Sequence, residues 1–258
     1  MALLTFLTDF GTSDYYVAAV KGTVLRLAPG SQIVDVSHDV PAGDIATGAF
    51  LLSAAAPWFP DGTVHLAVVD PGVGSGRRIL VARTGSSWLV LPDNGLLTLL
   101  RNSIQSIRSV ENVNVFLPGP GQTFHGRDRF APVAAWLLRG EPAERLGPEI
   151  TDPVLLPIEP PTRETGCLSG RVVHVDRYGN LVTDIPSAWL PEGDCRAEVG
   201  GHVVTRRASH YAEIPAGIER EAAMIPGSLG TIELSLQGDD LSRAWIVERG
   251  ATVRVTWR

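Results

Sequence analysis

One stretch of the chain constrains its fold more than any other: the apolar run at 63–69, which leads straight into the loop sequence VDPGVGSGRR at 69–78. A β-branched apolar run that stops at an acid, followed by proline and glycines, predicts a buried strand ending in a tight loop. Open α/β sheets bind ligands at such strand ends, and glycine lets backbone come close to a ligand. We therefore expect Asp70 to face a ligand, with Arg77 and Arg78 within its reach. The alternative is a β-turn with a salt bridge at its rim.

Residues 1–150 are predicted to form an α/β domain, because strand and helix patterns alternate along them. The predicted strands are 3–8, 32–36, 63–69, 79–83 and 88–91, with an irregular strand in 104–117, and the predicted helices are 15–27, 45–56, 96–100 and 127–139. Asp44 stands where the N-cap of the second helix would lie. The alternation favours a mainly parallel sheet with helices on both faces.

The composition changes after this domain. Five prolines fall within residues 148–161, which predicts a linker at 151–165. The remaining segment, 166–258, shows short strand patterns separated by glycine or proline, and only 241–247 has a helical pattern. This pattern predicts a smaller C-terminal antiparallel domain resembling a β-barrel, with a sandwich as the alternative.

The charge and the cysteines narrow the class of protein. A formal net charge of −6 argues against a nucleic-acid partner. No apolar run approaches the ~18–20 residues that a membrane span needs. The first residues, MALLTFLTDFG, lack the basic region and cleavage site of a signal peptide. Cys167 and Cys195 have no metal-binding spacing, so we expect reduced thiols in a cytoplasmic protein without a zinc site. The alternative is a disulfide between the two.

Two carboxylates follow the first predicted strand, Asp9 and Asp14 in TDFGTSD. A carboxylate at a strand end can accept hydrogen bonds from both hydroxyls of a vicinal diol such as ribose. The alternative is structural: Asp9 supports the turn and Asp14 caps the following helix.

A histidine lies between a Gly/Pro-rich loop at 118–121 and the predicted helix 127–139, in the sequence Thr123-Phe124-His125-Gly126. Its unperturbed pKa is close to physiological pH, so His125 is a candidate for positioning or deprotonating water. The alternative is a hydrogen-bonded structural histidine, which is the interpretation we prefer for His38 and His65. Asn94 falls in the turn Pro92-Asp93-Asn94-Gly95, and Asn-Gly is common in turns because of its backbone preferences. Asn94 nevertheless stays a candidate for substrate binding.

The C-terminal domain has its own candidates in loops. Asp176, Tyr178 and Asn180 fall in a predicted hairpin turn, where Asp and Asn are ordinary turn formers. An aromatic ring beside an asparagine could equally stack on a purine and hydrogen-bond to its edge. Tyr211 and Ser228 are similar candidates in other loops.

Taken together, these segments resemble the adenosine-forming S-adenosylmethionine hydrolases, also described as hydroxide adenosyltransferases, which are related to fluorinase and chlorinase. The resemblance runs in order through nearly the whole chain. Its segments are TDFGTSD, Lys21-Gly22, VSHDV with Asp44-Ile45, VVDPGVGSGRR, PDNGLLT, TFHGRDRFAP, VDRYGNLVTDI and the GSLG loop.

The resemblance implies hydrolysis of S-adenosylmethionine (SAM) to adenosine and L-methionine, with a catalytic set of Asp70, Arg77 and His125 and with no metal or other cofactor. It also implies a homotrimer in which substrate lies between the N-terminal domain of one subunit and the C-terminal domain of a neighbour. The implied substrate contacts are ribose for Asp9 with Asp14 nearby, the methionine amino group for Asp176, the adenine edge for Asn180, the adenine faces for Tyr178 and Tyr211, the reacting carbon for Thr123 and Phe124, and the methionine carboxylate for Ser228.

Two rival functions stay open. The first is a halide-dependent adenosyl transferase; the halogenases lack the DPGVG acid and carry a Tyr-Ser pair in place of His125-Gly126. The second is a protein that binds adenosine or SAM without turning it over. The chain also departs from the family at Gly227 and Gln237, where asparagines are frequent, and at Leu229, where halogenases carry arginine.

Overall fold

The computed structural model describes residues 2–118, 123–215 and 221–257. Apart from Pro118, the Gly/Pro-rich loop predicted at 118–121 lies outside these residues. The chain divides into two compact units, Met1–Pro157 and Ile158–Arg258. The predicted fold class, α/β followed by a barrel-like β domain, is confirmed.

The described part of the N-terminal unit is built around a six-stranded sheet. Its strands are β1 (Leu3–Thr8), β2 (Gln32–Ser37), β3 (Val64–Val68), β4 (Ile79–Thr84), β5 (Ser87–Pro92) and β6 (Ile104–Ser109), in the order β2-β1-β3-β5-β4-β6. The pairs β1–β2, β1–β3 and β3–β5 are parallel, whereas β4 runs antiparallel to both of its neighbours. The predicted, mainly parallel sheet is therefore confirmed, with an antiparallel edge at β4 and β6.

Apolar side chains of the central strand β3 point to both faces of this sheet. Val64, Leu66 and Val68 pack into a core with helices α1 (Tyr16–Leu27) and α3 (Ala131–Leu138), and Ala67 and Val69 pack into a second core with α2 (Ile45–Ala55). This alternation is what a strand with a side-chain period of two gives when helices cover both faces. Asp44 caps α2 as predicted, because its carboxylate accepts from Thr47 N at 3.1 Å.

Short helical turns connect these elements: 3-10 turns at Ala56–Trp58, Thr98–Ser103, Val113–Val115 and Ala143–Arg145, and a π-helical turn at Gly126–Phe130. The last one corrects the single helix predicted at 127–139, because the π turn precedes α3. Pro132 has no N–H for the carbonyl of Asp128. That carbonyl instead accepts from Leu117 N at 2.9 Å. The helix predicted at 96–100 is likewise a 3-10 turn that begins later.

Part of the predicted linker packs on the N-terminal unit. Asp93 accepts from Arg78 Nε at 2.6 Å and from Val154 N at 2.7 Å, and Arg78 also donates to the Asp152 carboxylate at 2.9 Å. These bonds fix residues 152–154 against the sheet. Farther along the predicted linker, Thr162–Glu164 forms strand β7 of the C-terminal unit.

The described strands of the C-terminal unit join into a nine-stranded, barrel-like sheet. After β7 come β8 (Cys167–Val175), β9 (Leu181–Pro186), β10 (Arg196–Val199), β11 (His202–Val204), β12 (Arg206–Arg207), β13 (Ala223–Pro226), β14 (Thr231–Ser235) and β15 (Thr252–Thr256), with helix α4 at Leu241–Trp245 and 3-10 turns at Ser187–Trp189 and Tyr211–Glu213. All pairs are antiparallel apart from β12 with β13. Residues 202–207 thus hold two short strands, β11 and β12, and β12 runs parallel to its partner β13.

In the described part of the chain, no helix is both long enough and apolar enough to cross a bilayer. Cys167 and Cys195 are both free thiols.

Candidate active site

The loop after β3 folds back on itself and returns Arg77 to Asp70. Val73 N donates to Asp70 O at 3.2 Å, and Ser75 N donates to Gly72 O at 3.0 Å, so two successive turns reverse the chain. Gly74 lies between them at φ 85°, a conformation that costs glycine little. The glycines of this loop thus serve the turn geometry that the predicted strand–loop pattern requires.

Asp70 and Arg77 form a buried ion pair. Arg77 Nε donates to both carboxylate oxygens at 2.8 Å, and Arg77 Nη2 also donates to Oδ2. Only 8% of the Arg77 side chain and 5% of the Asp70 side chain are exposed. Because buried charges need partners, this pairing holds both groups in one geometry. Arg78 was expected to reach Asp70 as well, but that expectation is wrong: Arg78 binds Asp93 and Asp152.

His125 completes this cluster from a position 48 residues farther along the chain. Its Nδ1 lies 3.0 Å from Arg77 Nη2, and the residue is 2% exposed at the start of the π-helical turn. A guanidinium can only donate hydrogen bonds, so Nδ1 must accept this one. His125 is therefore neutral in this arrangement and carries its proton on Nε2.

The electrostatics of the cluster favour the same neutral form. Burial lowers the pKa of His125, and the nearby charges of Arg129 and Arg77 lower it further, against the opposing effect of Asp70 and Asp128. At pH 7 the imidazole is thus kept uncharged beside a buried ion pair.

Two buried donor atoms of the cluster have no hydrogen-bond partner among the described residues: Arg77 Nη1 and His125 Nε2. Buried polar atoms in folded proteins are nearly always paired, and those left over deserve an explanation. Each atom can donate to an oxygen ligand, for which a water molecule or hydroxide is the simplest candidate.

The other strand-end residues have different surroundings. Asn94 donates from Nδ2 to Val69 O at 2.8 Å, and its Oδ1 accepts from Leu96 N at 3.3 Å. It therefore fixes the backbone directly before Asp70. Asp9 is half-buried and accepts from Gly43 N at 2.8 Å. Asp14 is exposed, and the structural alternative for it is wrong, because Tyr15 is the N-cap of α1 and no side chain caps it among the described residues.

A cavity of about 540 Å³ opens beside the π-helical turn. Its lining residues are Phe10, Tyr15, Tyr16, Thr123, Phe124, Arg127 and Asp128. Thr123 and Phe124 thus line a cavity, and their contact with a reacting carbon stays a prediction. Two of the residues that sequence reasoning missed, Tyr15 and Tyr16, precede and begin α1.

The C-terminal unit contains a second cavity, of about 510 Å³, and several of its candidates line it. The lining residues are Asp176, Tyr178, Asn180, Tyr211, Leu236, Gln237, Gly238 and Asp239. The structure therefore brings together the side chains that sequence reasoning named at 176, 178, 180 and 211, and adds Gln237. Ser228 lies exposed in the turn between β13 and β14.

Asp176 organises the loop at this cavity. Its Oδ1 accepts from Tyr178 N at 2.8 Å and from Asn180 N at 2.9 Å, and its Oδ2 accepts from Asn180 Nδ2 at 2.8 Å. Both turn-forming residues therefore have the structural role that the sequence allowed for. Tyr178 is exposed next to them, with its ring available to a planar ligand.

Glu233 is a buried carboxylate that sequence reasoning missed. Its Oε2 accepts from the hydroxyl of Tyr211 at 2.8 Å. Burial and this carboxylate raise the pKa of Tyr211, which keeps the phenol protonated. A Cβ on Gly227 would lie 2.2 Å from Glu233 Oε1, so the carboxylate occupies the space that a side chain at 227 would need. The available signal was an acidic residue within the apolar strand TIELS.

His38 and His65 have structural contacts. The Nδ1 atom of each lies 2.8 Å from a buried threonine hydroxyl, that of Thr8 for His38 and that of Thr5 for His65. In the described part of the chain, no group of three or more His, Cys, Asp or Glu side chains is arranged to hold a metal ion.

Comparison with protein families identifies the class of enzyme to which both domains correspond, one that is described as transferring an adenosyl group from SAM. Residues 4–147 match the N-terminal domain of SAM hydroxide adenosyltransferases, and residues 170–254 match the C-terminal domain. The chain belongs to the SAM hydroxide adenosyltransferase family.

Individual relatives agree with this assignment. The chain is 40% identical to the (R)-S-adenosyl-L-methionine hydrolase of Thermus thermophilus, over 97% of this chain and 98% of that protein. A fluorinase of an Actinoplanes species is more distant, at 30% identity over 71% of each chain. The crystal structure of an uncharacterized conserved protein from Thermotoga maritima superposes with a TM-score of 0.92 at 33% identity and covers 98% of this chain and 100% of its own.

Proposed function

We propose that this protein hydrolyses SAM to adenosine and L-methionine by attack of water on C5′ of the ribose. Membership of the family and the names of its relatives support the reaction. The single observation that carries the proposal is the convergence of Asp70, Arg77 and His125, in which the buried donors Arg77 Nη1 and His125 Nε2 have no partner among the described residues.

The leaving group makes this chemistry accessible. The water oxygen forms a bond to C5′, the C5′–S bond breaks, and its electron pair returns to sulfur, which converts the sulfonium into the neutral thioether of methionine. The water proton must go to a base. Neutral water is a weak nucleophile at pH 7, so the protein's main task is to position it and to accept that proton.

We assign the proton acceptor to Asp70. His125 accepts from Arg77 at Nδ1, so its Nε2 carries a proton and can only donate. Asp70 is then the member of the cluster that retains lone pairs, since Arg77 uses only part of the capacity of its two oxygens. The donors His125 Nε2 and Arg77 Nη1 stabilise the hydroxide-like oxygen as it forms. General-base assistance of this kind contributes about 10²–10⁴-fold to rate.

The packing at Gly126 argues against the halide-dependent alternative. A Cβ at this position would lie 3.2 Å from the rings of both Phe10 and Phe124, so a hydroxyl-bearing residue does not fit without moving them. The carboxylate of Asp70 would also repel a halide ion. Both features favour a neutral oxygen nucleophile.

One assay separates hydrolysis from its alternatives. The purified protein is incubated with the (R) and the (S) sulfonium epimers of SAM, with and without chloride, and the nucleoside product is identified. Adenosine supports the proposal, and the relatives' names suggest the (R) epimer as the preferred substrate. A 5′-halogenated nucleoside would establish halogenation, and unchanged substrate with measurable binding would establish a non-catalytic binding protein.

We also propose a cytoplasmic homotrimer with active sites at subunit interfaces and no cofactor. The family resemblance supports the trimer, and the free thiols of Cys167 and Cys195 suit a reducing compartment. Light scattering during size-exclusion chromatography measures the oligomeric state directly, and a monomer at assay concentrations with full activity would contradict the trimer.

A further inference from the structure

The cavity beside the π-helical turn is walled by aromatic rings that folding alone does not explain. Tyr15 is 63% exposed and Tyr16 is 38% exposed, whereas the buried residues of α1 are Val17, Val20, Thr23 and Val24. Two exposed tyrosines side by side at the start of a helix contribute little to its core. They instead stand around a cavity, together with Phe10 and Phe124.

Phe124 meets the other rings at steep angles, whereas Tyr15 and Tyr16 form a tilted pair with centroids 4.6 Å apart at 32°. Tyr16 and Phe124 have centroids 5.1 Å apart at 83°, and Tyr15 and Phe124 have centroids 6.4 Å apart at 89°. Phe10 meets Phe124 at 6.1 Å and 70°. We call the rings of Phe10, Tyr15, Tyr16 and Phe124 the aromatic box.

The face of the Phe124 ring already lies near a cation, the guanidinium of Arg127. The guanidinium carbon of Arg127 lies 5.1 Å from the centroid of the Phe124 ring. Asp128 neutralises this cation through bonds of 2.7 and 2.8 Å to Arg127 Nε and Nη2. The carboxylate is thus engaged, and the negative faces of the rings are another feature of the described lining that attracts positive charge.

We propose that the aromatic box recognises the sulfonium group of the substrate by cation–π interaction, with Tyr15 and Tyr16 as binding residues; this inference rests on the proposed function. A sulfonium carries three carbon substituents and no N–H or O–H, so it offers no hydrogen-bond donor of the conventional kind. Phe124, whose ring lines the cavity, directly precedes His125 of the catalytic cluster in the chain. The carbon that the water attacks is bonded directly to the sulfonium sulfur, so rings beside the attacked carbon also lie close to the charge.

The consequence is discrimination by charge. S-adenosylhomocysteine has the same nucleoside and amino-acid groups but a neutral thioether, so it gains only dispersion from the rings. The interaction also weakens in the transition state, because the charge leaves the sulfur as the C5′–S bond breaks. The box therefore acts on substrate affinity and selectivity more than on the chemical step.

The test compares Tyr16→Leu, which removes a ring, with Tyr16→Phe, which keeps it. Tyr16→Leu is expected to raise the KM for SAM by roughly tenfold, while the inhibition constant for S-adenosylhomocysteine changes much less. Tyr16→Phe is expected to keep the wild-type ratio of the two constants. Tyr15→Leu is a second, independent variant should Tyr16→Leu fold poorly, and Trp58→Leu removes an exposed aromatic residue of the same unit outside the cavity.

The outcomes separate cleanly. Equal weakening of SAM and S-adenosylhomocysteine in both leucine variants, no change in either, or an equal loss in Tyr16→Phe would overturn the aromatic box. The identity of the nucleoside product tests the proposed function by itself. If wild-type protein binds SAM without turnover, the proposed function fails, and the same ratio is then read from dissociation constants by calorimetry.

Discussion

Each of the two units of this chain presents an aspartate carboxylate, and the two carboxylates have very different surroundings. Asp70 of the N-terminal unit is buried against the guanidinium of Arg77, and that guanidinium in turn bonds a neutral imidazole. Asp176 of the C-terminal unit accepts from backbone N–H groups and from the Asn180 amide at the rim of a cavity. The first arrangement controls charge and proton position, whereas the second shapes a loop. We infer that the N-terminal cluster acts on the chemical step and the C-terminal cavity on recognition.

The largest expected effect tests the N-terminal half of that comparison. Asp70→Asn keeps the shape of the side chain but removes its charge and basicity, so kcat is expected to fall by about 10²–10⁴-fold. Thermal unfolding is measured alongside, because the change leaves the buried Arg77 without its counter-charge. Asp176→Asn is the matched control and is expected to change KM rather than kcat. Folded Asp70→Asn protein with the wild-type kcat would remove Asp70 from the mechanism.

The next effect tests the recognition half. Tyr211→Ala removes a ring from the C-terminal cavity, and loss of a stacking contact of this kind is expected to raise KM by roughly tenfold or more. Tyr211→Phe keeps the ring and loses only the hydroxyl bonded to Glu233, so a smaller rise is expected. Steady-state kinetics with SAM measure both variants. A drop in kcat at unchanged KM in Tyr211→Ala would break the division of labour between the units.

A smaller effect comes from pH. The pKa of His125 is lowered by burial, so the group is neutral at pH 7 and becomes protonated only below the ordinary histidine value of about 6.5. Protonation places a hydrogen on Nδ1 and disrupts its bond with Arg77, so kcat/KM is expected to fall about tenfold per pH unit below that pKa. The rate profile from pH 4.5 to 8 measures this limb. His125→Asn should lack it, and an unchanged limb in that variant would assign the titration to another group.

Removal of metal ions is expected to have no effect on the kinetics. Because side chains are proposed to activate the water, dialysis against EDTA is expected to leave kcat and KM at their original values. The assay is repeated after adding back Mg²⁺ or Zn²⁺ singly. A loss on dialysis that either metal restores would contradict the proposal that the N-terminal cluster works without a cofactor.

Sequence patterns predicted those features that depend on neighbouring residues. The strand at 63–69 and its glycine-rich loop, the Asp44 cap of α2 and the mainly parallel sheet are all local or periodic signals, and the structure confirms them. The family resemblance supplied the grouping of Asp70, Arg77 and His125, which no spacing in the sequence reveals. The structure then brought the three side chains into contact.

Other features followed no local signal. Arg78 carries the same charge as Arg77 in an adjacent position, yet it binds Asp93 and Asp152 because neighbouring residues of an extended segment point in opposite directions. In the π-helical turn, the carbonyl of Asp128 accepts a hydrogen bond from the backbone N–H of Leu117, which lies on a separate segment. Glu233 was missed because its partner Tyr211 lies on a separate segment.

The sequence by itself determined the order of strands and helices, the loop that carries Asp70, and the family. Only the tertiary structure decided which ring nitrogen of His125 carries the proton, which donors of the cluster have no partner among the described residues, and which rings line the neighbouring cavity. The physical reason is that propensity and periodicity act over a few residues, whereas a tautomer, a desolvated charge and an aromatic wall each depend on atoms that distant segments bring within a few ångströms.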